Sequence, residues 1–178
     1  WVTDDEALNA QTRQRFTSAS RLSSQRLHAI DSEGFPPVLD RGAVYFLNIQ
    51  KLHDKSTKYT VASDARAYTL WDTISRTADE HTLIVVLDEA HKGMKGGGDR
   101  VTTVRRLVEG EGSRKPVPIV WGISATPERF IDVMGKHAAH TMEPAVVVDT
   151  AAVQESGLLK DTIILSDPDS CTAAVSTT

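Results

Sequence analysis

Leu83 to Leu87 is an unbroken aliphatic run, Leu-Ile-Val-Val-Leu, that stops at the acidic pair Asp88-Glu89. Such a run predicts a strand buried on both faces, the kind found in parallel sheets covered by helices. Shorter apolar runs predict further strands at Ala43 to Leu47, Pro118 to Ile123, Ala145 to Val148 and Lys160 to Leu165, with a remnant at Trp1 to Thr3. Between them the apolar spacing becomes helical. Ala67, Leu70, Trp71, Ile74 and Ala78 form one stripe, which predicts an amphipathic helix over Ala65 to Glu80. Asp4 and Asp5 are good N-caps for a helix from Glu6 to Ser18, whose Leu8 and Phe16 are core candidates. Thr102 to Val108 and Glu128 to Met134 complete the helices, ended by Gly110 and Gly112 and by Gly135. Ser18 to Arg41 reads mainly as connection, with room for a short helix in its first part. Leu52 to Ser63 reads as polar loop, and Lys92 to Asp99, with its four glycines, as a mobile one. Trp71 and Trp121 lie in apolar patterns and are expected in the core.

Strands alternating with helices predict an α/β fold, a parallel sheet flanked by helices. At 178 residues one domain is expected, with residues 1–165 forming it and 166–178 a polar tail. The content of 40% hydrophobic and 25% charged residues argues against disorder. No apolar stretch reaches bilayer length and the first residues are acidic, so the expected location is cytoplasmic, with no membrane partner. Cys171, the single cysteine, excludes an internal disulfide and a cysteine-rich metal site. A net charge of -4 excludes a globally basic surface. Local basic clusters remain, at Arg13, Arg15, Arg21 and Arg26 and at Arg100, Arg105, Arg106, Arg114 and Lys115. The chain opens on Trp1 in strand-like sequence, which reads as a fragment or the ordered part of something longer.

Chemistry concentrates at two strand ends. Asp88 and Glu89 fall at the carboxyl end of a buried strand, where open α/β sheets bind their ligands. One carboxylate there can hold magnesium through water, and the next can orient and deprotonate an attacking water. Asp-Glu is thus the minimal hydrolytic half of a nucleoside triphosphatase. The second strand end is Gly122-Ile-Ser-Ala-Thr-Pro127, which places the hydroxyls of Ser124 and Thr126 before a proline suited to a first helical turn. His137 and His140 have the spacing of helical metal ligands but lack a third partner, and read as ordinary polar residues.

Asp88-Glu-Ala-His91, followed one helix and one strand later by Ser124-Ala-Thr126, resembles the motif II and motif III pair of superfamily 2 DEAD/DEAH-box helicases. Thr3 to Arg13 looks like motif Ia, and Tyr45 to Leu52 like the motif Ib region. With Val153 to Asp161, these are most similar to the helicase (Res) subunits of type III restriction enzymes. The resemblance implies a RecA-like P-loop NTPase core, here an incomplete first motor domain, with ATP and Mg2+ as cofactors. It implies that Asp88 holds the magnesium shell and Glu89 activates water. It further implies that His91 contacts the γ-phosphate region or relays its state to Ser124 and Thr126. Thr3, Gln11, Asn48 and Gln50 fall in motifs that in the family face the nucleic-acid backbone, where polar side chains position a strand without reading it. The implied partners are nucleic acid, DNA first, a phosphate-loop segment and second RecA-like domain of the same protein, and a modification or nuclease subunit.

One required part is missing from the sequence. Gly-x-x-x-x-Gly-Lys-Ser/Thr, whose amides cradle phosphates and whose lysine reaches the terminal ones, does not occur. Gly96-Gly97-Gly98 is followed by Asp-Arg, and Gly135-Lys136-His137 lacks the earlier glycine and the hydroxyl. In the family the phosphate-loop strand is central, so a sheet without it is expected to expose an interior edge. Two readings therefore stand: part of an ATP-dependent helicase or translocase motor, and a catalytically inactive helicase-like binding module.

Overall fold

A computed structural model describes residues 1–31, 34–53, 55, 57–64, 66–91, 99–112, 114–134 and 141–157. The predicted strand at Lys160 to Leu165, the polar tail, the glycine-rich stretch after His91, and His137 and His140 lie outside the described residues. The chain forms two compact units, Trp1–Met142 and Glu143–Thr178.

The first unit is built on five parallel strands: β1 (Val2–Thr3), β2 (Leu27–Ala29), β3 (Val44–Asn48), β4 (Ile84–Leu87) and β5 (Ile119–Gly122). Their order across the sheet is β2-β3-β1-β4-β5, and every adjacent pair is parallel. Parallel neighbours need crossover connections, and helices supply all but the one between β2 and β3, where no helix is described. Helix α1 (Glu6–Ala19) follows β1, and α3 (Leu70–Glu80) precedes β4. Helix α4 (Asp99–Glu109) links β4 to β5, and α5 (Pro127–Met134) follows β5. A short helix, α2 (Thr57–Thr60), lies where the sequence reads as loop. Asn48 ends β3 and caps the 3₁₀ turn Ile49–Leu52, which makes this stretch more structured than its polarity suggests.

The register places Val2, Leu47, Val85 and Leu87 on one face of the sheet. These residues are buried in one cluster with Leu70, Trp71 and Ile74 of α3 and Val104, Leu107 and Val108 of α4. On the opposite face α1 lays Phe16 edge-on against Trp1 and Phe46, at 5.9 Å for each pair. That cover stops short of β4 and β5. Ile84 is 45% exposed and Trp121 61% exposed, and Ile119 and Ile123 beside them are open too. The expectation of a β4 strand buried on both faces is thus corrected: only Val85 and Leu87 are buried, because no described helix lies over the Ile84 face. Trp121 is likewise a surface residue and not core. Strand β5 ends the sheet, with no described strand on its outer side.

Other boundaries shift for local reasons. Helix α3 starts at Leu70, five residues later than its apolar stripe suggests, because Thr69 closes a capping box. The Thr69 hydroxyl accepts the Asp72 amide at 3.1 Å and the Asp72 carboxylate accepts the Thr69 amide at 2.7 Å. Ahead of it Ser63 and Arg66 exchange two backbone hydrogen bonds, which holds Ala67 outside the helix. Strand β2 arises inside the stretch read as connection, from three residues too few to show a period. In the second unit the predicted Ala145 to Val148 strand is not formed: no ladder partner is described and Val146 is 94% exposed. Helix α6 (Thr150–Glu155) follows there, capped by Asp149. No described helix is long and apolar enough to cross a membrane.

The capping box yields a test. Burial pushes the Asp72 carboxyl pKa up, but hydrogen bonds from Thr69 and the charges of Arg76 and Arg114 bring it below its ordinary value. A depressed carboxylate stabilises fully above its unfolded-state pKa and loses that contribution as pH falls through the folded value. Thr69→Ala should therefore cost about 1 kcal/mol in neutral urea melts. The difference from the parent chain should shrink as pH is taken below the ordinary aspartate range and through the lowered folded-state pKa of Asp72.

Candidate functional site

Pairing of β4 with β5 brings the two chemical strand ends together. The register Leu87↔Gly122 ends both strands at the same level, so the turn Asp88 to His91 faces the loop Ile123 to Thr126. Backbone bonds lock the join. The Ile123 amide donates to the Leu87 carbonyl at 2.9 Å, and the Ala90 amide donates to the Ile123 carbonyl at 2.8 Å. On its other side the Asp88 amide donates to the Val2 carbonyl at 2.9 Å, which ties the turn to β1.

Within this frame the acidic pair has distinct geometries. Asp88 is half-buried, and its Oδ1 accepts the Glu89 amide at 2.9 Å. Glu89 has φ 51°, a left-handed conformation that costs a non-glycine residue roughly 1–2 kcal/mol. Among the described residues it is the one non-glycine with positive φ, and it is the residue expected to activate water. Strain of this kind persists where surrounding bonds over-determine it, and here Ala90 and Asp88 are both pinned.

His91 joins the halves. Its Nδ1 lies 2.9 Å from Ser124 Oγ and 3.3 Å from Glu89 Oε2. A lone pair at Nδ1 would face the Glu89 carboxylate, so electrostatics favour a proton on Nδ1, donated to Ser124 and Glu89 together. Both contacts use one nitrogen, which separates this cluster from a nucleophilic triad, where serine and carboxylate bond opposite ring nitrogens. Ser124 Oγ also accepts the Thr126 amide at 3.0 Å, which shapes the entry into α5. The five residues singled out by sequence, Asp88, Glu89, His91, Ser124 and Thr126, therefore lie on two facing loops.

The residues expected to face nucleic acid divide. Gln11 and Gln50 are exposed. Thr3 is fully buried and its hydroxyl donates to the Asp5 carbonyl at 2.7 Å. Asn48 is buried, accepts the Gln50 amide at 2.9 Å and donates to the Asp4 carbonyl at 3.4 Å. Both buried side chains serve the strand ends they sit on. Around them is a polar hollow of about 710 Å3 lined by Asp4, Asp5, Glu6, Asn48, Gln50, Lys51 and Tyr59. Its three carboxylates face one ammonium, Lys51, which is paired with Glu6 at 3.2 Å. That balance disfavours a phosphate resting directly in the hollow.

An apolar cavity of about 900 Å3 is lined from Ala43 and Leu83 as far as Leu47, Trp121 and Ile123, without Asp88, Glu89 or His91. Among the described residues no cluster of three or more histidine, cysteine or carboxylate side chains could enclose a metal. A magnesium ion kept mostly in its water shell needs only one or two carboxylates, and Asp88 meets that lesser demand.

Sequence reasoning passed over Gly122 as a functional position. A Cβ built there would lie 3.1 Å from Phe130 Cε1 and 3.2 Å from the Ala90 methyl, so a side chain at this position presses against both and makes them give by a few tenths of an ångström. No family model, curated protein or solved structure matches the chain.

Two substitutions probe the geometry. Ser124→Ala removes the acceptor of the Thr126 amide, and that amide should exchange with solvent about threefold to tenfold faster by NMR. Glu89→Gly relieves the left-handed strain, offset by the flexibility of glycine, and should raise stability by about 0.5 kcal/mol in urea melts.

Proposed function

We propose that this chain is part of the motor domain of an ATP-dependent helicase or translocase acting on DNA, within a restriction or defence system. The observation that carries the reading is the contact of His91 with both Ser124 and Glu89, next to Asp88, at adjacent carboxyl strand ends. That is where an open parallel sheet takes its ligand. The Asp-Glu-Ala-His and Ser-Ala-Thr pair supports a superfamily 2 assignment, and its surrounding sequence the type III restriction branch. The all-parallel sheet is compatible with a RecA-like core.

In this reading Asp88 would hold the hydration shell of Mg2+, which when bound neutralises charge on the ATP phosphates. Glu89 accepts the proton of the attacking water. Its backbone strain and its contact with His91 fix where that carboxylate points. His91 carries a change at Glu89 to Ser124, and Ser124 passes it through the Thr126 amide into α5. Of the polar residues assigned to the nucleic-acid backbone, Gln11 and Gln50 have the exposure for direct contact.

A second reading has one observation in its favour. The sequence holds no Gly-x-x-x-x-Gly-Lys-Ser/Thr, so nothing in it supplies the phosphate cradle, and a helicase-like binding module without hydrolysis fits that absence. The readings part on activity. The motor reading expects no ATP turnover by the 178-residue chain alone. It expects turnover once a phosphate-loop segment is supplied, then a fall of about 10²–10⁴-fold on Glu89→Gln with nucleotide binding retained. An assembled protein in which Glu89→Gln leaves hydrolysis unchanged contradicts the motor reading, as does robust turnover by the chain alone.

A further inference from the structure

We infer that Phe130 is a positioning residue that holds the Ser124 loop against His91. Its place follows from the missing side chain at Gly122. A Cβ there would meet Phe130 Cε1 at 3.1 Å, Phe130 Cδ1 at 3.2 Å and the Ala90 Cβ at 3.2 Å. The Phe130 ring and the Ala90 methyl thus close on the same point from two sides. Ala90 is fully buried and belongs to the acidic turn, while Phe130 lies on α5 and packs against the core cluster.

The loop from Ile123 to Thr126 is then held at three places. The backbone bond from Ala90 to Ile123 fixes its start, and Ser124 Oγ fixes its middle through Thr126 and His91. Phe130 fixes its far end, one helical turn into α5. Of these, the Thr126 and Phe130 contacts depend on where α5 sits, the second through a side chain of the helix itself. Any displacement of α5 withdraws the ring from Gly122, and the loop can then lift Ser124 away from His91. Contact between Glu89 and His91 does not need the ring, so the Ser124 half of the cluster yields first. The ring therefore makes the contact of His91 with Ser124 sensitive to the position of α5.

As a role in ATP hydrolysis this inference rests on the motor reading, whereas its geometric half is measured without nucleotide. The probe is the contact itself, read as the NOE between the His91 ring and the Ser124 β-protons in the whole chain. The parent chain should show it. Phe130→Ala should lose it. Phe130→Leu, which keeps an apolar bulk, should restore it. Gly122→Ala, which forces the ring aside, should weaken it as Phe130→Ala does. An unchanged NOE in folded Phe130→Ala overturns the inference, as does a Leu variant no better than Ala. Should Phe130→Ala fail to fold, an unchanged NOE in Gly122→Ala overturns it alone. A lost NOE in a chain whose assembled parent never hydrolyses ATP sustains the positioning role and refutes the motor reading instead.

Discussion

The parallel pairing of β4 with β5 is the constraint on which the remaining geometry depends. Four consecutive partners, Ile84 with Ile119 through Leu87 with Gly122, bring two strand ends to one level. A shift of one residue would turn Leu87 and Val85 out of the core and separate His91 from Ser124 at once. Burial of Val85 and Leu87 under α3 and α4 is therefore what sets the distance between the acidic turn and the hydroxyl loop. Core packing and site geometry are here the same energetic choice.

Much of this was legible in the residues. The aliphatic run ending at Asp88-Glu89 marked β4 and its carboxyl end, because strand propensity and an abrupt change to charge coincide there. Ser124 and Thr126 were legible for the same reason at the end of β5. The parallel α/β class followed from alternation alone. Much of what escaped was set by a partner distant in sequence, and the rest by hydrogen bonds within one turn. Ile84 and Trp121 are as apolar as Val85, and only the reach of α1 leaves their face uncovered. Thr3 and Asn48 look like ligand-facing polar residues, yet their hydrogen bonds close turns within their own strand ends. The three residues of β2 carry no period, and the Val146 run has strand propensity without a described partner.

Gly122 and Phe130 illustrate a subtler limit. A glycine at a strand end commonly signals a turn, but Gly122 is needed for the room it leaves. Nothing in the sequence distinguishes the two uses. Glu89 is similar: its left-handed backbone arises from bonds to residues on either side, and an acidic side chain gives no sign of it. Strain at the expected base and close packing beneath the expected coupling loop are both properties of the assembled pair of loops.

Two acidic places in this molecule are candidates for a divalent cation, the Asp88 turn and the hollow lined by Asp4, Asp5 and Glu6. Titration of the 15N-labelled chain with Mn2+, a paramagnetic stand-in for Mg2+, distinguishes them directly. If the Asp88 turn and the Ser124 loop form one cation-responsive site, the amides of Asp88 to His91 and of Ser124 and Thr126 should broaden first and together. Broadening confined to Asp4, Asp5 and Glu6, with the Asp88 turn unaffected, would contradict the account.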